Sequence, residues 1–157
     1  MSKLLLMLFT TALLATGCAA PLLPGATRDE AIARYGKPSR VVALPSGTRL
    51  QYSGQPALQT ALMVDLDTSG RVVSVREAMS PEGFARVVVG QSTRADVERE
   101  LGPPALIDHV RAWDGDIMNY RWRDAGFDMY FWAYLDPAGV VRRTGQGMDI
   151  KGKGVDD

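Results

Sequence analysis

The chemistry open to this chain is set by its rarest side chains. The sequence contains one histidine, His109, and one cysteine, Cys18. With no second histidine and no further cysteine, neither a Cys–His catalytic pair nor a typical zinc site can be assembled. A serine triad through His109 is formally open, but the chain has no Gly-x-Ser-x-Gly elbow to present the nucleophile, and His109 reads as a strand-edge or surface residue. Asp65-Leu66-Asp67-Thr68-Ser69-Gly70 begins like a calcium loop. Its twelfth position is Arg76, where a bidentate glutamate belongs, so the segment reads as a hairpin turn. Asp114-Gly115-Asp116 likewise reads as a turn. These residues predict no catalytic site, no metal and no cofactor, and a role other than catalysis.

What the chain offers instead is aromatic surface. Trp113, Tyr120, Trp122, Phe127, Tyr130, Phe131, Trp132 and Tyr134 crowd into one stretch. Successive side chains of a strand point to opposite faces. If Phe131, Ala133 and Leu135 point inward, then Tyr130, Trp132 and Tyr134 point out. On a neighbouring strand, Tyr120 and Trp122 inward leaves Asn119, Arg121 and Arg123 outward. Trp, Tyr and Arg together are the composition of interaction hot spots. Arg121, Arg123, Tyr130, Trp132 and Tyr134 are therefore the candidate protein-binding residues. The competing expectation is that the same rings pack against the other half of the chain, a helix or a loop, since a large exposed apolar face is costly without a partner.

The elements that position these residues are marked in the sequence. Thr93-Arg94-Ala95-Asp96-Val97-Glu98-Arg99-Glu100-Leu101-Gly102-Pro103-Pro104 reads as a short helix with both ends specified. Thr93 and Asp96 form a capping box, Val97 and Leu101 share one apolar stripe, and Gly102 with the prolines stops the helix. Thr27-Arg28-Asp29-Glu30-Ala31-Ile32-Ala33-Arg34-Tyr35-Gly36-Lys37-Pro38 repeats this grammar, and two copies of one start–stop signal predict a duplicated unit.

Strands follow each copy. In the first they are Arg40–Leu44, Thr48–Tyr52, Ala61–Leu66 with Leu62, Val64 and Leu66 inward, and Arg71–Arg76. In the second they are Ala105–Val110, Ile117–Arg123, Asp128–Leu135, and a last strand from Val140-Val141. Ser80-Pro81-Glu82 opens a linker helix with Phe84, Val87 and Val88 on its apolar side. The fold class expected is α+β: two tandem units, each of short helices packed on a three- to four-stranded antiparallel meander sheet.

The first residues read as an address. Lys3, an apolar run from Leu4 to Ala15 and then small residues form a secretory signal pattern too short for a comfortable membrane span. Leu14-Ala15-Thr16-Gly17-Cys18 resembles the lipobox of bacterial lipoproteins. That resemblance implies lipidation of Cys18, membrane attachment through the lipid, and, with Ala19 next, sorting to the outer membrane facing the periplasm. A single unpaired thiol in an exported chain fits this assignment, and more than one acyl chain makes the anchor stable. The boundaries expected are 1–17 signal peptide, 18–24 tether, 25–77 first unit, 78–144 second unit and 145–157 a glycine-rich disordered tail. Eighteen basic and eighteen acidic side chains balance, which argues against nucleic acid or another polyanion as partner.

Gly90-Gln91-Ser92-Thr93-Arg94-Ala95-Asp96-Val97 through Leu101-Gly102-Pro103-Pro104, with its weaker copy Gly25-Ala26-Thr27 through Tyr35-Gly36-Lys37-Pro38, resembles the signature of the SmpA/OmlA, or BamE-like, family of outer-membrane lipoproteins. The resemblance implies helices on a three-stranded antiparallel sheet and an envelope role, typically as an accessory of outer-membrane protein assembly. A tandem pair of such units is similar to the architecture of the β-lactamase inhibitor protein, in which two copies form one saddle-shaped sheet. The function expected is a non-enzymatic, protein-binding outer-membrane lipoprotein that interacts with envelope or outer-membrane assembly proteins. The alternative is a periplasmic inhibitor or ligand-binding module that uses the aromatic face.

Overall fold

Two short helices with designed ends open the two halves of the molecule, a computed structural model that describes residues 22–149. The signal peptide, Cys18 and the residues from 150 on lie outside the described residues. Helix α1 spans Arg28–Tyr35 and α3 spans Arg94–Leu101. In α1 the Thr27 amide donates to Glu30 Oε2 at 2.6 Å, and the Glu30 amide donates back to Thr27 Oγ1 at 3.2 Å. In α3 the Thr93 amide donates to Asp96 Oδ2 at 2.8 Å, and Asp96 returns the bond at 3.3 Å. Both capping boxes are complete. Gly36 and Gly102 end the helices at φ 81° and 85°, with ψ −168° and −174°. This is not the left-handed helical conformation common at helix ends but a more extended backbone that is nearly restricted to glycine.

Each helix precedes an antiparallel sheet. The first is β1 (Arg40–Leu44), β2 (Gly47–Ser53), β3 (Ala61–Asp67) and β4 (Val72–Glu77), in that order. A four-residue helix, α2 (Pro81–Phe84), leads into α3. The second sheet is β5 (Leu106–Asp108), β6 (Ile117–Asp124), β7 (Phe127–Leu135) and β8 (Val141–Met148). The fold is α+β. The two sheets remain separate, so the single continuous saddle expected by analogy is not formed; α3 lies between them.

Three further expectations change. β8 runs to Met148 and pairs with β7 as far as Met129, so Gly145–Met148 is strand rather than tail. β5 is three residues long, because the chain leaves the sheet after Asp108 in a turn that ends at Trp113. Val88 also turns out to solvent, whereas Phe84 and Val87 are buried.

The apolar alternation places the core. Ala31 of α1, with Ile32 and Tyr35 beside it, packs on Leu50, Val64, Leu66 and Val72. On the second sheet Val97, Leu101 and Phe84 pack on Tyr120, Trp122, Phe131, Ala133 and Leu135. Phe84 stacks on Phe131 with centroids 4.3 Å apart and planes 3° from parallel. Ala61 and Met63, from the far face of the first sheet, belong to this same cluster. The central strands of the first sheet are therefore buried on both faces, one against the cluster under α1 and the other against a second cluster that draws residues from both halves. Each large apolar side chain fully buried here contributes about 1.5–3 kcal/mol.

The contact between the halves is polar where it meets the end of α3. A helix leaves its last carbonyls without partners. Here Gln51 Nε2 donates to the carbonyls of Glu98 and Arg99 at 2.9 and 3.0 Å. Arg49 Nη1 donates to the Arg99 carbonyl at 2.8 Å, and Arg76 Nη2 donates to that of Glu100 at 3.1 Å. The first sheet thus caps the helix that opens the second half, and its cations suit the negative helix end.

Candidate binding face

The face of the first sheet turned away from α1 is covered by α3. The face of the second sheet turned away from α3 has no helix over it among the described residues. Strand register lays it out in rows. Ile117 faces Tyr134 and Arg143, Asn119 faces Trp132 and Gly145, and Arg121 faces Tyr130 and Gly147. Arg123 faces Asp128 in the last row. The five candidate residues read from sequence share this face, as the alternation requires. Tyr130, Trp132 and Tyr134 are each half-buried, so neither full exposure nor full packing describes them.

Trp132 has a specific resting place. A methyl group on Gly147 would fall 2.7, 3.1 and 4.0 Å from its Cη2, Cζ3 and Cζ2. That graded spacing belongs to a point in the plane of the ring beyond its edge; a point above the ring would be nearly equidistant from the three. A methyl group on Gly145 would meet Cε3, on the adjoining side of the ring, at 3.4 Å. The indole therefore lies along the sheet, in the layer that side chains of β8 would occupy. The glycines of β8 are the room it needs. The Tyr130 ring runs within 19° of parallel to it, with centroids 6.1 Å apart.

Above the other end of the face, the segment between β5 and β6 folds over the sheet. Trp113 Nε1 donates to the Leu135 carbonyl at 2.7 Å, which fixes the indole edge-on to Tyr134 at 5.3 Å and 73°. The Arg143 guanidinium sits 3.8 Å from the Tyr134 centroid and 5.3 Å from that of Trp113, an arrangement favoured by the negative ring faces. Beneath Trp113 a cleft of about 270 Å³ opens, lined also by Asp108, Asn119 and Trp132. Asn119, expected outward, is on this face but 6% exposed. Its amide nitrogen donates to the Ile117 carbonyl at 3.0 Å, which holds it against the sheet.

Three of the arginines here are neutralised by aspartates. Arg121 Nη2 lies 3.5 Å from an Asp149 carboxylate oxygen, and Arg123 Nη2 lies 3.3 Å from Asp128. Arg142 Nε lies 2.7 Å from Asp136. Arg121 is also tied to the first half: it donates to the Pro56 carbonyl at 3.0 Å, and the Gln55 side-chain amide pairs with its backbone N–H and C=O at 3.2 and 2.5 Å. Gln55 thereby stands in for a neighbouring strand where β5 has ended.

The other residues considered for chemistry are placed as follows. His109 is exposed, with Nδ1 3.1 Å from Asp116, which also pairs closely with Arg94. Asp67 accepts from the amides of Ser69 and Arg71, each at 2.9 Å; its carboxyl sits below the usual range because of the Ser69 hydroxyl and these amides. It closes a hairpin turn.

Sequence reasoning missed Trp113 and Arg143 as parts of the face. For Arg143 the period of two misleads: counted from buried Val141 it would turn inward, and the register shift between Tyr134 and Leu135 is what sets it beside Tyr134 on the outer face. Trp113 lies in a loop, where alternation carries no information.

No protein-family model and no curated protein matches the chain. Among solved structures, the crystal structure of a DUF4309 family protein, YjgB, from Bacillus subtilis subsp. subtilis str. 168 is similar at 16% identity, over 78% of each chain, with a TM-score of 0.31.

Proposed function

We propose that this chain is a lipid-anchored, non-enzymatic binding module of the bacterial outer membrane, facing the periplasm, built as a tandem pair of SmpA/OmlA-like units. The tandem reading is supported by details that recur at matching places. Thr27 bridges Arg71 as Thr93 bridges Val140. The third strand of each sheet has a register shift, between Asp65 and Leu66 and between Tyr134 and Leu135. A methyl group on Gly47 or Gly115 would lie 2.1 Å from the carbonyl oxygen of Leu66 or Leu135 respectively.

The observation that carries the binding role is the half-exposed aromatic row Tyr130, Trp132 and Tyr134 on a sheet face without a covering helix among the described residues. In the first unit the same face is a contact surface, occupied by α3. The partner proposed is an envelope protein, and the role is an accessory one in outer-membrane protein assembly or envelope integrity. Fractionation with covalent crosslinking tests this. The intact protein is expected in the outer membrane with a partner captured. Cys18→Ala should move it to the soluble fraction, and Tyr130→Ala with Tyr134→Ala should lose the partner. A Cys18→Ala protein still held in the membrane, or capture indifferent to the aromatic pair, refutes it.

A second reading, a ligand-binding or inhibitory module, is favoured by the cleft between Trp113 and Trp132. A concave site with aromatic walls and a few convergent polar groups suits a small ligand or a protruding group of a larger one.

A further inference from the structure

We infer that the cleft beneath Trp113 receives one six-membered ring of an oligosaccharide, with the sugar chain continuing along Trp132 and Tyr130. This rests on the reading of the outer face of the second sheet as the binding surface, and it names the ligand class.

Three observations select this chemistry. The first is the attitude of Trp132. Laid into the side-chain layer over Gly145 and Gly147, it offers a flat ring rather than an edge, and Tyr130 continues at nearly the same inclination. A pyranose presents a face of C–H bonds with partial positive charge, which matches the negative face of an aromatic ring. The second is the polar rim. Asn119, Asp108 and Arg143 line the cleft, and they supply donors and acceptors at the level where the hydroxyls of a stacked sugar lie. Arg143 is held by two rings, and among the described residues no carboxylate lies within salt-bridge distance of it, so its N–H groups are free for sugar oxygens. The third is charge. Arg121, Arg123 and Arg142 each have an aspartate partner. A nucleic acid would need a run of unpaired cations along its backbone, and these three are already paired. An uncharged chain of flat rings needs none. The cleft volume of about 270 Å³ is below that of a drug-sized pocket and suits a single ring with its substituents.

The experiment is titration calorimetry, with tryptophan fluorescence, on the full-length protein in detergent. The probes are chitotetraose and cellotetraose, with a single-stranded oligonucleotide and a proline-rich peptide as competitors. Saturable binding of at least one sugar at millimolar concentration is expected, weakened about tenfold or more by Trp132→Ala, as for loss of one stacking platform. Gly147→Ala, which pushes Trp132 out of its layer, and Arg143→Gln, on an exposed side chain, are expected to weaken it as well and serve if Trp132→Ala does not fold. The proposal is overturned if folded protein binds neither sugar, if binding is unchanged in the variants, or if only the oligonucleotide or peptide binds. Should the sugars fail while Trp132→Ala still releases the crosslinked envelope partner, the binding face stands and the ligand class falls. Should both fail, the reading of the face falls with it.

Discussion

Arg49 and Asp65 meet across β2 and β3 in a two-point pair, Nε to Oδ1 at 2.5 Å and Nη2 to Oδ2 at 2.8 Å, under the last turn of α3. Arg49 is 4% exposed and also reaches Glu100 Oε1 at 3.1 Å, and Glu100 takes Arg76 at 2.7 Å. The pair orients the guanidinium that caps α3, so it joins the halves as much as it joins two strands. Burial alone would lower the pKa of Arg49; its bonds to Asp65 and Glu100 outweigh this and raise it.

Breaking that pair should cost more than removing it. Asp65→Asn leaves a buried cation with reduced compensation and is expected to lower stability by about 2–3 kcal/mol, discounted from a fully buried pair because Asp65 keeps some solvent contact. Arg49→Met with Asp65→Leu should cost less than the sum of the single changes. Urea denaturation of wild type, Arg49→Met, Asp65→Leu and the double variant closes the cycle; simple additivity would mean that the two side chains act independently.

Gln55 holds the edge of β6 through Arg121. Gln55→Ala is expected to cost about 1 kcal/mol and to speed hydrogen exchange at the Arg121 amide, while exchange at Leu50, in the middle of β2, is unchanged. Equal protection of Arg121 in both proteins would show that the loop is not what shields this edge.

The cap of α3 predicts a pH dependence. Asp96 has its carboxyl lowered to about 2, first by the Thr93 amide, then by the Thr93 hydroxyl, with Arg99 adding to it. A lowered carboxyl stabilises the fold above its unfolded value near 3.8, and that contribution is lost as pH falls toward 2. The stability difference between wild type and Asp96→Ala should be about 1 kcal/mol at neutral pH and should shrink across this acid range. A difference independent of pH would assign the effect of Asp96 to helix propensity instead.

Much of this fold was legible because its signals are local. A capping box spans four residues, a hairpin turn four, and strand alternation two, so Thr27, Thr93, Asp67 and the inward row Phe131, Ala133 and Leu135 could be placed from neighbours alone. The interface between the halves was not legible. Arg49 and Gln51 alternate with Leu50 and Tyr52, which reads as the solvent side of a half-buried strand. Nothing nearby says that a helix end some fifty residues later will supply the carbonyls they bond. Gly145 and Gly147 failed for a related reason: glycine-rich composition is the same in a loose tail and in a strand that leaves room for an indole.

The chain's own order of residues determined where helices start and stop, which strand positions turn inward, and that tryptophan, tyrosine and arginine share one face, because each depends on bonds or periodicities a few residues long. Tertiary structure alone decided that α3 would be shared between two sheets, that Arg121 would be tied to Asp149 and to the loop of the first half, and that Trp132 would lie down while Trp113 forms a roof. Those outcomes depend on which distant surfaces compete for the same space and the same unpaired polar groups, and that competition is settled only when the chain is closed on itself.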